Sequence, residues 1–343
     1  MRARVRQRTQ EPGAGQVVSE ATSSSKPRDG RGPNSRGFGS RLWEYQAERF
    51  PVFKHGALIV AFGASALCLS ALLRGGAPNP LAIVVAVLVL FGIFFQLRVA
   101  DEHKDNEDDT KFRPERPVPR GLVTLAELRG VAIGVGVAQV ALTAWLDWRL
   151  LGLLVLVWGW LAVMTKEFFV PDWLKKRPLV YMISHMAVMP LIDLYATACD
   201  WLPAGTGGHE GFGLTLGAFL LLSLANGSAI EIARKCWAPE SERDGVETYS
   251  KLWGPGRSGV AVMSVVLAGF ALSGFINARS QAGPWMLAGL ALVTAWTAWS
   301  AIDYAGTPTM SRAKMLETSS GVFVLANYLL LGVVPLLMSL MPA

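Results

Sequence analysis

Charge is scarce in this chain. Asp, Glu, Lys and Arg make up 17% of it and apolar side chains 52%, too little charge for an ordinary soluble protein of 343 residues. Cysteine is scarce too. Cys68 lies in an apolar run, Cys199 at the end of another and Cys236 beside charged residues. No metal-ligand spacing links the three, and they make no disulfide framework. Residues 1–40 nearly lack large apolar side chains and are rich in Arg, Ser, Gly and Pro. That composition predicts a disordered basic tail. Glu11, Glu20 and Asp29 weigh against a transit peptide, and no apolar signal core follows.

What the chain has instead is long apolar runs. A bilayer span needs about 20 mostly apolar residues. Nine candidates run over 55–73, 81–97, 130–146, 150–165, 179–198, 213–232, 260–275, 285–302 and 321–340. The 12 Trp and 35 Gly fit this reading, since Trp anchors at membrane interfaces and Gly permits close helix contact. The fold expected is an all-α polytopic membrane bundle of about nine transmembrane helices filling 55–343. Segment 41–54 mixes aromatics with charges, from Leu42, Trp43, Glu44 and Tyr45 to Arg49, Phe50 and Pro51. It is expected to lie on the membrane surface.

The net charge of +6 reads as topology and lipid headgroups, not nucleic acid, because the basic residues sit in the tail and in short loops. Loops on one side hold Arg74, Arg149 and Arg279. Loops on the other hold most of the rest, among them Lys104, Lys111, Arg120, Lys175, Arg243, Arg257, Arg312 and Lys314. The positive-inside rule places this second group and the N-terminal tail in the cytoplasm. An odd number of spans then puts the C-terminus outside a multi-pass cell-membrane protein.

The densest polar signal follows the second run. Asp101, Asp105 and Asp109 are spaced i, i+4, i+8, so a helix continuing past Leu97 carries all three on one face. Crowded carboxylates repel, and a divalent cation relieves them. Oxygen ligands of this kind suit Mg²⁺, with Mn²⁺ as an alternative, and such an ion keeps coordination places for a phosphorylated partner. Such carboxylates are costly at the end of a span unless they are used; the competing reading is a solvated acidic loop. Downstream, Arg113 and Arg116 stand in a proline-stiffened loop and suit bidentate grip on phosphate. A second cluster ends the sixth run with Asn226, Glu231, Arg234 and Lys235. Glu231 either completes a metal site or pairs locally with Lys235 at i, i+4. In the fifth run, His185 reads as a packed, hydrogen-bonded histidine, and Asp193 as a residue near the outer end that reaches for the interface.

These clusters resemble the UbiA superfamily of intramembrane prenyltransferases. Asp101-Glu102-x-x-Asp105-x-x-x-Asp109 matches the family's first motif in spacing, with Asp for Asn and Glu for the next Asp. Arg116-Pro117-Val118-Pro119-Arg120-Gly121 fills the place of its Arg-Pro-Leu-x-x-Gly element. In the second motif the chain keeps Gly245-Val-Glu-Thr248 but carries Glu231 and Lys235 where the family commonly has aspartates. Lys166, Lys175 and Arg177 are similar to the family's basic loop after the fourth span.

The resemblance implies a helical bundle around a central cavity with a cytoplasmic cap. It also implies Mg²⁺ held by Asp101, Glu102, Asp105, Asp109, Glu231 and Asp244, with Asp105 and Asp109 as the catalytic pair. A prenyl diphosphate would then meet Arg113, Arg116, Lys166, Arg234, Lys235 and Lys251. The implied activity is prenyl transfer to a lipophilic acceptor through an allylic carbocation. A terpene cyclase of the same fold, acting on the diphosphate alone, is the alternative. A transporter or lipid-binding protein is disfavoured, since no paired discontinuous helices occur in matching halves.

Overall fold

The structure, a computed structural model, describes residues 36–205, 212–243, 246–280 and 283–339. Most of the expected tail therefore lies outside the described residues. Fifteen α-helices follow one another, and no strand occurs among the described residues. The first are α1 (Phe38–Arg49), α2 (Val52–Leu73), α3 (Pro80–Lys104), α4 (Asn106–Phe112), α5 (Leu125–Leu146) and α6 (Leu150–Thr165). Next come α7 (Pro171–Lys175), α8 (Pro178–Met186), α9 (Val188–Trp201), α10 (Phe212–Arg234) and α11 (Tyr249–Trp253). The last four are α12 (Pro255–Ser280), α13 (Pro284–Gly306), α14 (Met310–Leu331) and α15 (Val333–Ser339).

Among the described residues, eight segments are long and apolar enough to cross a bilayer; α6, with 16 residues, is a shorter apolar helix. The expected ninefold count thus becomes eight full-length spans and one short one. Two spans are broken where proline requires it. Pro190 and Pro335 lack the N–H that would reach the carbonyls of Met186 and Leu331. The chain accordingly divides into α8 and α9 at Ala187, and into α14 and α15 at Gly332.

Helix starts are written in side chains. Asn79 caps α3 ahead of Pro80, and Thr124 with Glu127 forms a reciprocal capping box at α5. Between spans, small and polar residues do the joining. The Gln139 amide of α5 donates to the Val89 carbonyl of α3 at 2.9 Å. Gly92 leaves room for it, since a Cβ there would meet Gln139 Nε2 at 2.7 Å. Thr143 and Tyr195 hydrogen-bond at 2.7 Å between α5 and α9.

Asp193 departs from expectation. It is fully buried and accepts a 2.8 Å hydrogen bond from Tyr328, rather than reaching for an interface. Beside Tyr328, Asn327 of α14 donates to Asn226 of α10 at 3.2 Å and accepts from Ser273 of α12 at 2.6 Å.

Candidate functional site

One end of the bundle gathers the last turns of α3 and α10, the first turn of α8, and the loops around them. The α3 helix stops at Lys104, and α4 starts at Asn106. Hydrogen bonding runs unbroken through this joint, with Asp105 N–H on the Asp101 carbonyl at 2.9 Å and Asp109 N–H on the Asp105 carbonyl at 2.8 Å. The i, i+4 register of the three aspartates is therefore kept, but their surroundings differ.

Asp101 is half exposed, with the Arg98 guanidinium at 3.6 Å. Asp105 is exposed. Desolvation pushes its carboxyl above the usual aspartate range; Asp109 adds to this and Lys104 opposes it. Asp109 is 2% exposed and clamped by Arg116 at 2.5 Å and Arg113 at 3.3 Å. Glu102 is turned 100° from Asp101 by helical geometry. Its carboxylate is buried against Arg49 of α1 at 2.6 Å.

Across from α3, the end of α10 brings its own charges. Glu231 binds Arg234 at 2.6 Å and Lys235 at 3.0 Å. The charges of Arg234 and Asp101 act on one another, so the two clusters belong to the same end of the bundle. The following loop folds back over α10, with Tyr249 N–H on the Lys235 carbonyl at 3.0 Å and Tyr304 donating to the Trp237 carbonyl at 2.8 Å. Glu242 fastens it by accepting from Thr248 and Ser250. The Lys235 ammonium sits 5.6 Å from the centre of the Tyr249 ring. A small pocket of about 100 Å³ opens between Tyr181, Lys175, Lys235 and Tyr249. Lys251 is exposed on α11, and Asp244 lies outside the described residues.

Lys166 is placed elsewhere. It ends a groove of about 750 Å³ between α3, α5 and α6, with His103 and Arg129 beside it. His103 and Val99 put that groove on the side of α3 opposite Asp101.

No motif or spacing points to Glu167. It is buried in a turn, Glu167–Phe169, whose three residues have φ of 48°, 54° and 61°. Its carboxylate lies 2.7 Å from Lys104 Nζ, which also donates to the Tyr181 hydroxyl at 2.8 Å. Burial raises the Glu167 pKa, but the Lys104 hydrogen bond and charge outweigh it and hold the group below the usual range. His185 stacks on Tyr181 at 4.0 Å, with Nδ1 on the Tyr181 carbonyl at 2.8 Å, the packed histidine expected.

The UbiA prenyltransferase family model matches residues 57–327. The chain belongs to that family. Two solved structures agree in fold. One is a digeranylgeranylglyceryl phosphate synthase, with a TM-score of 0.60 and 18% identity over 84% of this chain and 98% of that one. The other is the apo form of a UbiA homolog from Aeropyrum pernix K1, with a TM-score of 0.61 and 14% identity over 82% and 98%. No curated protein sequence matches the chain. As a UbiA-family protein it is a multi-pass membrane protein with the fold of an intramembrane prenyltransferase.

Members of this family generally work with Mg²⁺, and the donor set bears on whether this chain can hold it. No group of three His, Cys, Asp or Glu is gathered for a metal among the described residues. Asp101 and Asp105 nonetheless fit, because Mg²⁺ is commonly bound by one or two carboxylates with substrate phosphate and water completing the shell.

Proposed function

We propose that this protein transfers a prenyl group from a prenyl diphosphate to a lipophilic acceptor within the membrane, with Mg²⁺ as cofactor. The observation that carries the reading is this cluster of opposed charges. Asp101, half exposed beside Arg98, and Asp105, exposed at the C-cap of α3, share this end of the bundle with Arg234, whose charge acts on Asp101, and with Lys235 just past α10.

In this reading Asp101 and Asp105 hold the cation, which when bound neutralises the leaving diphosphate. Arg234, Lys235 and Lys251 face the phosphate oxygens. Asp109 orients Arg113 and Arg116 toward the same group, a fixed fork suited to phosphate. Glu102, bound to Arg49, and Lys166, at its separate groove, stand outside this set. The bond between C1 of the prenyl chain and the diphosphate oxygen breaks, and the electron pair leaves with the oxygen. The allylic cation then bonds through C1 to the acceptor, which sheds a proton. Aromatic faces stabilise such a cation, and Phe62, Phe219 and Tyr328 pack edge to face in the interior, with Tyr328 4.7 Å from Phe62 and 6.0 Å from Phe219.

The basic loops support a cytoplasmic mouth, with the N-terminus inside and the C-terminus outside. The deciding experiment supplies prenyl diphosphates of several lengths and Mg²⁺ to the protein in nanodiscs, with and without a lipid extract. Diphosphate release with a prenylated lipid product is expected. A hydrocarbon formed without acceptor identifies a cyclase, and no diphosphate release from any donor removes both readings.

A further inference from the structure

The turn at Glu167–Phe169 places three successive non-glycine residues in the left-handed region, which L side chains avoid. Packing holds it there. The Phe168 ring lies edge-on to Trp160 at 5.4 Å and to His185 at 5.9 Å. The result is a buried carboxylate, 8% exposed, turned toward the last residue of α3.

That residue is Lys104, and its position is awkward for a metal site. It stands i+3 from Asp101 and next to Asp105, and its charge acts on both. On a free helix end, a lysine three residues after an aspartate pairs with it. Such a pair would put an ammonium where a cation has to bind. Here the ammonium is committed elsewhere, at 2.7 Å from Glu167 Oε1 and 2.8 Å from the Tyr181 hydroxyl. No ion pair joins Lys104 to Asp101 or Asp105 among the described residues.

We infer that Glu167 is a positioning residue that draws the Lys104 ammonium away from Asp101 and Asp105, so that a divalent cation can bind both. Among the described residues this leaves Asp105 without a paired cation and Asp101 with only the 3.6 Å contact to Arg98. The inference rests on the reading of these aspartates as the metal site. Tyr181 shares the task by giving the ammonium a second acceptor. The strained turn is what lets a residue between α6 and α7 reach the end of α3.

The test is Mn²⁺ binding, read by electron paramagnetic resonance on the full chain in nanodiscs with Mn²⁺ alone. Wild type should bind, and Asp105→Asn should abolish binding. Glu167→Gln should weaken binding roughly fivefold, the scale of a partly exposed ion pair put in competition. Adding Lys104→Met to it should restore wild-type affinity, because the competing ammonium is gone. A purely structural Glu167 gives no such rescue. Unchanged binding in Glu167→Gln, or a double variant as weak as the single one, overturns the inference. If Glu167→Gln does not fold, Lys104→Met alone decides: affinity at or above wild type supports the inference, and weaker binding overturns it. Absence of Mn²⁺ binding in wild type removes the metal-site reading, and this inference with it. Loss in Asp105→Asn with no effect at Glu167 removes only the latter.

Discussion

The Glu231 carboxylate lies 3.0 Å from the Lys235 ammonium, one turn along α10, and Arg234 closes on it from 2.6 Å. A scaffold pair survives exchange of its ends; a site that needs an anion and a cation at fixed places does not. Glu231→Lys with Lys235→Glu should therefore still insert, less stable by a helix-dipole term of about 0.3–1 kcal/mol and by the lost Arg234 pair, yet release no diphosphate. An active exchanged variant would show that this cluster is scaffolding.

Asp105 and Glu102 stand three residues apart and should behave differently. Asp105→Ala should cut Mg²⁺-dependent turnover at least roughly a hundredfold while insertion is kept. Glu102→Gln loses the 2.6 Å contact to Arg49 and should loosen α1 with a smaller effect on turnover. Turnover measured against Mg²⁺ concentration separates the two. Near-normal activity of Asp105→Ala at limiting Mg²⁺ would end its assignment.

Helix packing sets a third expectation. A Cβ on Gly259 would meet the Ala301 carbonyl at 2.6 Å and the Ala305 methyl at 2.9 Å, whereas Gly130 has nothing within 4 Å. Gly259→Ala should destabilise the α12–α13 contact by about 1–3 kcal/mol. Gly130→Ala should be neutral or slightly stabilising, since alanine favours a helix interior by up to about 1 kcal/mol. Thermal unfolding in one detergent checks both.

Acid should release α1. The hydrogen bonds from Arg120 hold Glu48 below the usual glutamate range, against some desolvation. Its contribution is present above the unfolded pKa of about 4.3 and is lost as pH falls through the depressed folded value. A spin label at Gly39 should keep its mobility from neutral pH down to about 5 and gain it below about 4. Constant mobility down to pH 3 would show that Glu48 does not help dock the helix.

Orientation is open to direct labelling. Cys68, Cys199 and Cys236 are all buried, so a cysteine at Asn106 reports with little background. It should resist an impermeant maleimide in intact cells and react once they are opened. Labelling from outside would invert the proposed topology.

Much of this was legible in the sequence. Apolar run length gives the spans, and i, i+4 spacing gives the register of Asp101, Asp105 and Asp109, because both depend on local geometry. Which partner each acid takes is a matter of distant chain. Asp101 and Glu102 are neighbours, yet one stands open and the other is buried on Arg49, 53 positions back. Asp109 shares the motif's spacing but is claimed by Arg113 and Arg116. Glu167 left no pattern to read, since a left-handed turn of Glu-Phe-Phe runs against the preferences of its own residues.

The contact from Arg49 to Glu102 ties a helix outside the spans to the strand of chemistry at the end of α3. Linkage then works in both directions. Whatever factor α1 docking adds to cation affinity at Asp101 and Asp105, a bound cation returns to the docking of α1 by the same factor. A surface that pulls α1 away, and a site that fills, would oppose each other through one ion pair.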